Sequence, residues 1–262
     1  MEKNIRLVLK IMKINRTVSI AGRKIGQNHS PYIIAEMSAN HNGDISKAFE
    51  IIQKAKECGA DAVKIQTYTP DTITLDSNKP DFIIEEGLWS GLTLYDLYKS
   101  AFTPWEWHKD LFDFARKMQI TMFSSPFDNS AVDLLEDLNV PAYKIASFEA
   151  IDTPLIEYVA STKKPMIIST GLANEEEIQE AIDAARSGGC KELAILHCVS
   201  GYPAPSENYN LKTIGSMIER YGCVTGLSDH TLNNNTAIAS IALGACILSL
   251  IHISEPTRLL SI

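Results

Sequence analysis

Between residue 32 and about residue 247, short runs rich in β-branched and apolar residues alternate with polar or glycine positions and then with stretches of helical spacing. The strand candidates are "YIIAEMSA" (32–39), "AVKIQTY" (62–68), "ITMFSSPF" (120–127), "AYKIAS" (142–147), "PMIIST" (165–170), "LAILHCVS" (193–200) and "VTGLSD" (224–229). The clearest helical stretches are "SKAFEIIQKAKECG", with Ser46 at the N-cap and a terminal glycine, and "NEEEIQEAIDAARSGG", whose opening acids suit the helix dipole. Strands that alternate with helices imply parallel strands joined by crossovers. Seven such units are complete, and "GACI" begins an eighth strand after a helix at about 233–243. The expected fold is therefore a (β/α)8 TIM barrel, truncated in or after strand eight. The rival is a doubly wound open sheet, which the absence of a G-x-G-x-x-G turn after the first strand disfavours.

The polar positions inside the strands sharpen this reading. Val63 and Ile65 share one face of their strand, and Lys64 and Gln66 share the other. Glu36, Ser38 and Asn40 share a face, as do Gly226, Ser228 and His230. In an antiparallel sheet such a face would meet solvent. In a barrel the outer face is covered by helices, so these residues must point into the barrel or its mouth. Several lie late in their strands, at the C-terminal rim where barrel enzymes carry out their chemistry.

At 262 residues the chain is long enough for one barrel-sized domain that hides roughly 70–75% of its unfolded surface. The formal charge of −8 and the lack of any Lys/Arg run longer than two disfavour a nucleic-acid partner. Five cysteines, an odd number with no C-x-x-C pair, point to a reducing cytoplasm rather than a disulfide framework. The N-terminal segment lacks the pattern of a signal peptide, and no apolar run reaches the ~20 residues of a membrane span.

Lys64 and Lys144 converge in the barrel interior, where an unpaired ammonium is costly. Glu36 satisfies one of them structurally. Two lysines and the hydroxyls of Ser124, Ser125, Ser147, Ser169, Thr170, Ser200 and Ser228 exceed what one carboxylate needs. The excess suggests a small polyanionic ligand carrying phosphate, carboxylate or both. His230, at the rim on the face of Ser228, is a structural histidine or a metal ligand. His197 reads as packing. His41, directly after the first strand, either contacts substrate or fixes the turn. His29 and His108 fall in a loop and on a helix.

The stretches "IIAEMSANHNGD", "GADAVKIQTYTPDTITL", "FSSPFD", "YKIASFE", "IISTG", "HCVSGYPAP" and "GLSDHT" occur in an order that resembles the sialic-acid synthase family, over residues 32 to 247. Members of that family condense phosphoenolpyruvate with an amino-sugar aldehyde. "TYTPDTITLDSNKPDFIIEEGLW" and "LYDLYKSAFTPWEWH" resemble the branch that uses a 2,4-diacetamido-trideoxy-hexose more than the N-acetylneuraminate branch. The resemblance implies a (β/α)8 barrel followed by an antifreeze-like domain, in a domain-exchanged homodimer. It implies phosphoenolpyruvate held by Lys64, Ser125, Lys144, Ser147, Ser169, Ser200 and Ser228, with Glu36 near C2 and Tyr202 and His41 at the sugar. It further implies a divalent cation, Mn2+ or Mg2+, held partly by His230 and acting as a Lewis acid on the aldehyde. A legionaminate or N-acetylneuraminate synthase, a Schiff-base aldolase using Lys64 or Lys144, and a fragment that only binds phosphoenolpyruvate remain open.

The end of the chain departs from the family. The segment that follows Ile247 in the family carries a second histidine ligand that aligns with position 251, and isoleucine stands there. The histidine here is His252, one step out of register, and in a strand that slip turns a side chain to the opposite face. His252 is not expected to replace the ligand. "LSLIHISEPTR", Leu248 to Arg258, resembles translated read-through of a sequencing-library adapter. The expected organisation is a lead-in over 1–31, a barrel over 32–247 and a non-native tail over 248–262. Such a chain is expected to be inactive, in contrast to the product of the intact gene.

Overall fold

A computed structural model describes residues 17–85 and 89–251. A small antiparallel hairpin comes first, β1 (Val18–Ile20) and β2 (Arg23–Ile25). The barrel strands follow as β3 (Tyr32–Glu36), β4 (Ala62–Thr67), β5 (Thr121–Pro126), β6 (Tyr143–Ile145), β7 (Met166–Ser169), β8 (Leu193–Cys198), β9 (Val224–Asp229) and β10 (Ile247–Leu250). All eight are parallel to their neighbours and close in the order β10-β3-β4-β5-β6-β7-β8-β9. Each expected strand forms, a little shorter than its run except for β9. The helices that cover them include α1 (Ile45–Glu57), α2 (Pro70–Ile73), α3 (Leu94–Ala101), α4 (Trp105–Lys117), α5 (Asn129–Asp137) and α6 (Thr153–Ser161). Completing the set are α7 (Glu175–Ser187), α8 (Thr213–Tyr221) and α9 (Asn235–Ala242). None of the described helices is long and apolar enough to cross a membrane.

One local reading changes. The N-cap of α1 is Asp44, whose carboxylate accepts from the Ser46 amide, so Ser46 lies inside the first turn rather than capping it. Asn174 caps α7, and Glu177 accepts from the Asn174 amide to complete a capping box.

The alternation along each strand sorts the core into two layers. Outward residues such as Val63, Ile65, Met122, Ile145 and Ile168 pack with helix residues such as Ile52, Leu111, Leu135, Ile156 and Ile182. The inward positions at the N-terminal end, among them Ile34, Ala62, Phe123, Ala142, Ile167, Leu196, Val224 and Ile247, form a second apolar cluster. Val18, Ile20 and Ile25 of the hairpin join that cluster and floor the barrel. Within the expected lead-in over 1–31, the described part therefore holds a structural element. Its signal is the alternation of "VSIAGRKI" about a turn in which Ala21 and Gly22 both take positive φ. Arg23 pairs with Asp61 at 3.2 Å, and Asp61 in turn accepts from the Ile33 amide at 2.8 Å.

Two residues further along the same inward faces stand Glu36, Lys64, Ser125, Lys144, Ser169, Cys198 and Ser249, joined on β9 by Ser228, four residues beyond Val224. A dry floor below and a polar layer above follow from period-two patterning in a closed sheet. Ser124 and Thr67 are exceptions on the outer face. Their hydroxyls lie 2.6 Å apart, and Thr67 meets His108 Nε2 at 2.9 Å, so the buried polar atoms satisfy one another beneath α4.

The eighth strand, expected to be cut short, is present through Leu250 and pairs with both β3 and β9. Leu248 and Leu250 pack outward with Leu227, Ala237 and Ala245, while Ile247 and Ser249 turn inward. This segment meets the pattern a barrel strand demands, which is why it closes the sheet. His252 and the rest of 252–262 lie outside the described residues.

Gly226 on β9 has no room for a side chain. A Cβ there would stand 2.4 Å from the Ile247 carbonyl oxygen and 2.7 Å from Leu196 Cδ2. Gly226→Ala should therefore lower stability by about 1–3 kcal/mol through overpacking. Gly215→Ala on α8, where a Cβ meets nothing within 4 Å, should instead gain about 0.5–1 kcal/mol. Thermal unfolding of both variants checks the pair. Equal melting temperatures would show that the β9–β10 contact is not closed as described.

Candidate active site

The C-terminal ends of the strands open into a cavity of about 370 Å³. Its floor carries Glu36, Lys64, Lys144, Ser228 and Cys198, and its wall carries Ser147, Ser200, Tyr202 and His230. The opposite wall is apolar and comes largely from the long β4–α4 connection, with Ile73, Trp89 and Tyr98 beside Tyr68, Phe127 and Phe148.

Lys64 Nζ stands 2.9 Å from Glu36 Oε2 and donates to Ser125 Oγ at 3.1 Å. The Ser249 hydroxyl donates to the other Glu36 oxygen. Burial alone would push the Glu36 carboxyl up, but Lys64, Lys144 and the Ser249 hydroxyl outweigh it and hold the group below its ordinary range. Lys144 is buried too, yet among the described residues its ammonium makes no ion pair or hydrogen bond. Burial first, and the neighbouring Lys64 charge second, draw its pKa below the usual lysine range. The floor thus holds two cations and one ion-paired carboxylate. Ser169 adds a buried hydroxyl with no partner.

His230 is oriented by its neighbours. Nδ1–H donates to the Val199 carbonyl at 2.9 Å, which leaves the Nε2 lone pair as an acceptor for the Ser228 hydroxyl at 3.4 Å. Tyr202 stacks on the ring at 4.2 Å and 22°. Burial, aided by Lys144, pulls the imidazole down to about 4 and keeps it neutral. A neutral imidazole with one nitrogen fixed by a carbonyl suits a metal ligand. Even so, among the described residues no group of three His, Cys, Asp or Glu side chains could hold a metal ion. Position 251 is Ile251, which faces the cavity. The described residues supply one ligand and do not complete a metal site.

Of the residues singled out from the sequence, Glu36, Lys64, Lys144, Ser147, Ser200, Ser228, Tyr202 and His230 meet at this cavity. Ser125 lies just beneath, bonded to Lys64. Ser169 faces the interior without lining the cavity. His41 does not reach it: its Nδ1 accepts from the Gly43 amide at 3.1 Å, Nε2 meets Thr103 at 3.3 Å, and Trp107 packs on its edge. His41 fixes the turn after β3. His197 bonds the Tyr209 carbonyl, in keeping with packing. Thr170 bonds the Leu196 carbonyl and Ser124 faces outward, so neither hydroxyl serves the cavity. Gly171 makes room for the serines, because a Cβ there would stand 2.6 Å from Ser200 Oγ and 3.0 Å from Ser147 Oγ. The aromatic wall and Glu149 had no periodic signal, since both sit in connections rather than strands. Glu149 does follow Ser147 by two residues, in the turn after β6.

Comparison with known proteins agrees with the fold. A model of the NeuB family matches residues 51–253. The chain is 48% identical over 218 residues to the pseudaminic acid synthase of Helicobacter pylori, which covers 83% of this chain and 64% of that protein. It is 46% identical over 217 residues to the pseudaminic acid synthase of Campylobacter jejuni, covering 83% and 63%. The chain thus spans a little under two thirds of the length of these relatives. Its structure matches that of N-acetylneuraminic acid (sialic acid) synthetase from Leptospira borgpetersenii with a TM-score of 0.79 at 29% identity, over 89% of this chain and 77% of that one.

The charge imbalance makes opposite predictions for the two lysines. Lys64→Met deprives a buried carboxylate of its nearest cation and should cost about 3–5 kcal/mol. Lys144→Met removes a buried ammonium that forms no ion pair among the described residues and should raise stability, as is usual where a site is tuned for function. Denaturant unfolding of both variants measures this. A destabilised Lys144→Met protein would show that Lys144 is satisfied within the chain.

Proposed function

The chain belongs to the NeuB family, and we propose that it condenses phosphoenolpyruvate with the open-chain aldehyde of a 2,4-diacetamido-trideoxy-hexose and water, giving pseudaminic acid and inorganic phosphate. The observation that carries this reading is the excess of buried cation at Lys64 and Lys144, open only toward the cavity. A compact dianion that also bears a carboxylate answers it, with the hydroxyls of Ser147, Ser200 and Ser228 as donors to its oxygens. The apolar wall of Ile73, Trp89 and Tyr98 suits a deoxy sugar with acetamido methyl groups.

The chemistry follows from that placement. The lysines offset the phosphoenolpyruvate charge and hold its C3 in attack geometry. The C3 electron pair attacks the aldehyde carbon, and positive charge develops at C2. Glu36, kept ionised by Lys64 and Lys144, stabilises that charge and takes a proton from the water that adds there. The resulting phosphate hemiketal expels phosphate by C–O cleavage. A divalent cation, manganese or magnesium, is expected of such enzymes, and His230 offers it one nitrogen. Because the described residues do not complete its site, no step here passes through it.

One observation favours a second reading. Lys144, with its pKa drawn down by burial and by Lys64, has the character of a Schiff-base amine. Borohydride reduction in the presence of substrate separates the two mechanisms, since a covalent lysine adduct would sink the phosphoenolpyruvate condensation.

Glu36→Gln should lower phosphate release by about 10²–10⁴-fold while phosphoenolpyruvate still binds. Coupled phosphate detection and calorimetry measure the two. Near-normal turnover in that variant removes Glu36 from the mechanism. Failure of the unaltered protein to release phosphate with any amino-sugar aldehyde removes the function itself.

A further inference from the structure

One carboxyl in the cavity has no part in the chemistry above. Glu149 sits in the 3-10 turn Phe148–Ile151, immediately after the strand that carries Lys144, and its side chain lines the same cavity as Glu36. Its Oε2 is buried and has no hydrogen-bond partner. Lys144 and Lys64 face it from the floor, Asp152 from the end of its own turn and Tyr98 from α3. A bare carboxylate oxygen in such a place is costly, so the carboxyl is better accommodated with its proton on. Burial is the chief cause that pushes it up to about 7, against the weaker pull of its own backbone amide and then of Lys144 and Lys64.

The two carboxyls of the cavity are thus driven apart. Glu36 is held ionised by its ion pair, whereas Glu149 carries a proton near neutrality. Environments that separate a pair of carboxyls in this way divide the roles of base and acid between them. Among the described residues, neither His230 nor Tyr98 gives the cavity a proton as readily near neutral pH. His230 is neutral, and its Nδ1 proton is committed to the Val199 carbonyl. Burial raises Tyr98 above the ordinary phenol range.

We propose that the Glu149 carboxyl is the general acid of the condensation, giving its proton to the aldehyde oxygen of the sugar as the new carbon–carbon bond forms. The inference rests on the function proposed above. The C2–C3 π pair of phosphoenolpyruvate forms the bond to the aldehyde carbon. The carbonyl π pair moves to the aldehyde oxygen, which takes the Glu149 proton and becomes a hydroxyl. Water then adds at C2 and releases a proton, which returns Glu149 to its acid form by way of Glu36 or solvent. The hemiketal hydroxyl proton leaves with phosphate as the C2–O bond to phosphorus breaks and the ketone forms.

The test uses the protein with Glu149→Gln and Glu149→Asp variants. Oε2 has no partner, and the glutamine amide oxygen can still accept from the Glu149 backbone amide, so the variant should fold and melt as the unaltered protein does. Its kcat should fall by about 10²–10³-fold, with KM for phosphoenolpyruvate unchanged within about threefold. An acid must be protonated to act, so the rate of the unaltered protein should fall as pH rises through about 7. That fall should be absent in Glu149→Gln and partly restored in Glu149→Asp. A readout that needs no turnover is the titration of 13C-labelled glutamate carboxyls by NMR. One carboxyl should titrate near neutrality, and its signal should be missing from Glu149→Gln. Unchanged kcat, an unchanged alkaline fall, or no glutamate titrating near neutrality would each overturn the assignment. If the unaltered protein releases no phosphate while the neutral titration is present, the proposed function fails and the acid role falls with it. If phosphate is released but the variant behaves normally, only the acid role falls.

Discussion

Two ammonium groups, Lys64 and Lys144, share the interior of a closed barrel with one ion-paired carboxylate, and the rest of the molecule is arranged around that imbalance. The pair between Lys64 and Glu36 is close enough to be worth several kcal/mol at the effective dielectric of a protein site. Among the described residues Lys144 has no ion pair comparable to that of Lys64. Below the lysines, the hairpin and the first inward layer exclude water, so neither charge can be relieved from the floor. Only the mouth of the barrel is open. An anion arriving there completes the electrostatics, and the serine hydroxyls at the strand ends can bond its oxygens.

The same arrangement explains how one cavity serves two kinds of proton chemistry. Glu36 lies within reach of the cations and is held as a carboxylate. Glu149 lies in the turn after β6 without an ion pair, and there burial outweighs the pull of the lysines. Direct pairing with a cation thus sets whether a carboxyl is a base or an acid. Tyr202 stacks on the neutral ring of His230 at the rim of the cavity. The aromatic wall from the β4–α4 connection faces it across the opening.

The barrel was legible in the sequence because a closed parallel sheet leaves a strong trace. Val63 and Ile65 against Lys64 and Gln66 can be read only as helix side against interior once crossovers are inferred. The lysines and most of the serines followed from that face assignment. The failures have physical reasons. Ser46 lost the α1 cap to Asp44 because the chain enters that helix two residues earlier, a boundary that periodicity does not fix. Ser124 and Thr67 broke the rule that polar groups face inward, since they satisfy His108 instead of solvent. His41 looked available for substrate but is held by the Gly43 amide and Thr103, contacts set by tertiary packing. Glu149 lies in an irregular turn, where no alternation marks which way a side chain faces. Its burial, not its position along the chain, makes it chemically distinct.

The most direct test of the account is the stabilisation of the protein by phosphoenolpyruvate, read as the rise in melting temperature with ligand concentration. A ligand that binds only the folded state at about a hundred times its Kd adds about 2.7 kcal/mol of stability. The account predicts a clear rise for the unaltered protein and its loss in Lys144→Met, whose floor no longer calls for a second anion. No rise with phosphoenolpyruvate, or an equal rise in Lys144→Met, would contradict the claim that the unpaired lysine exists to hold that ligand.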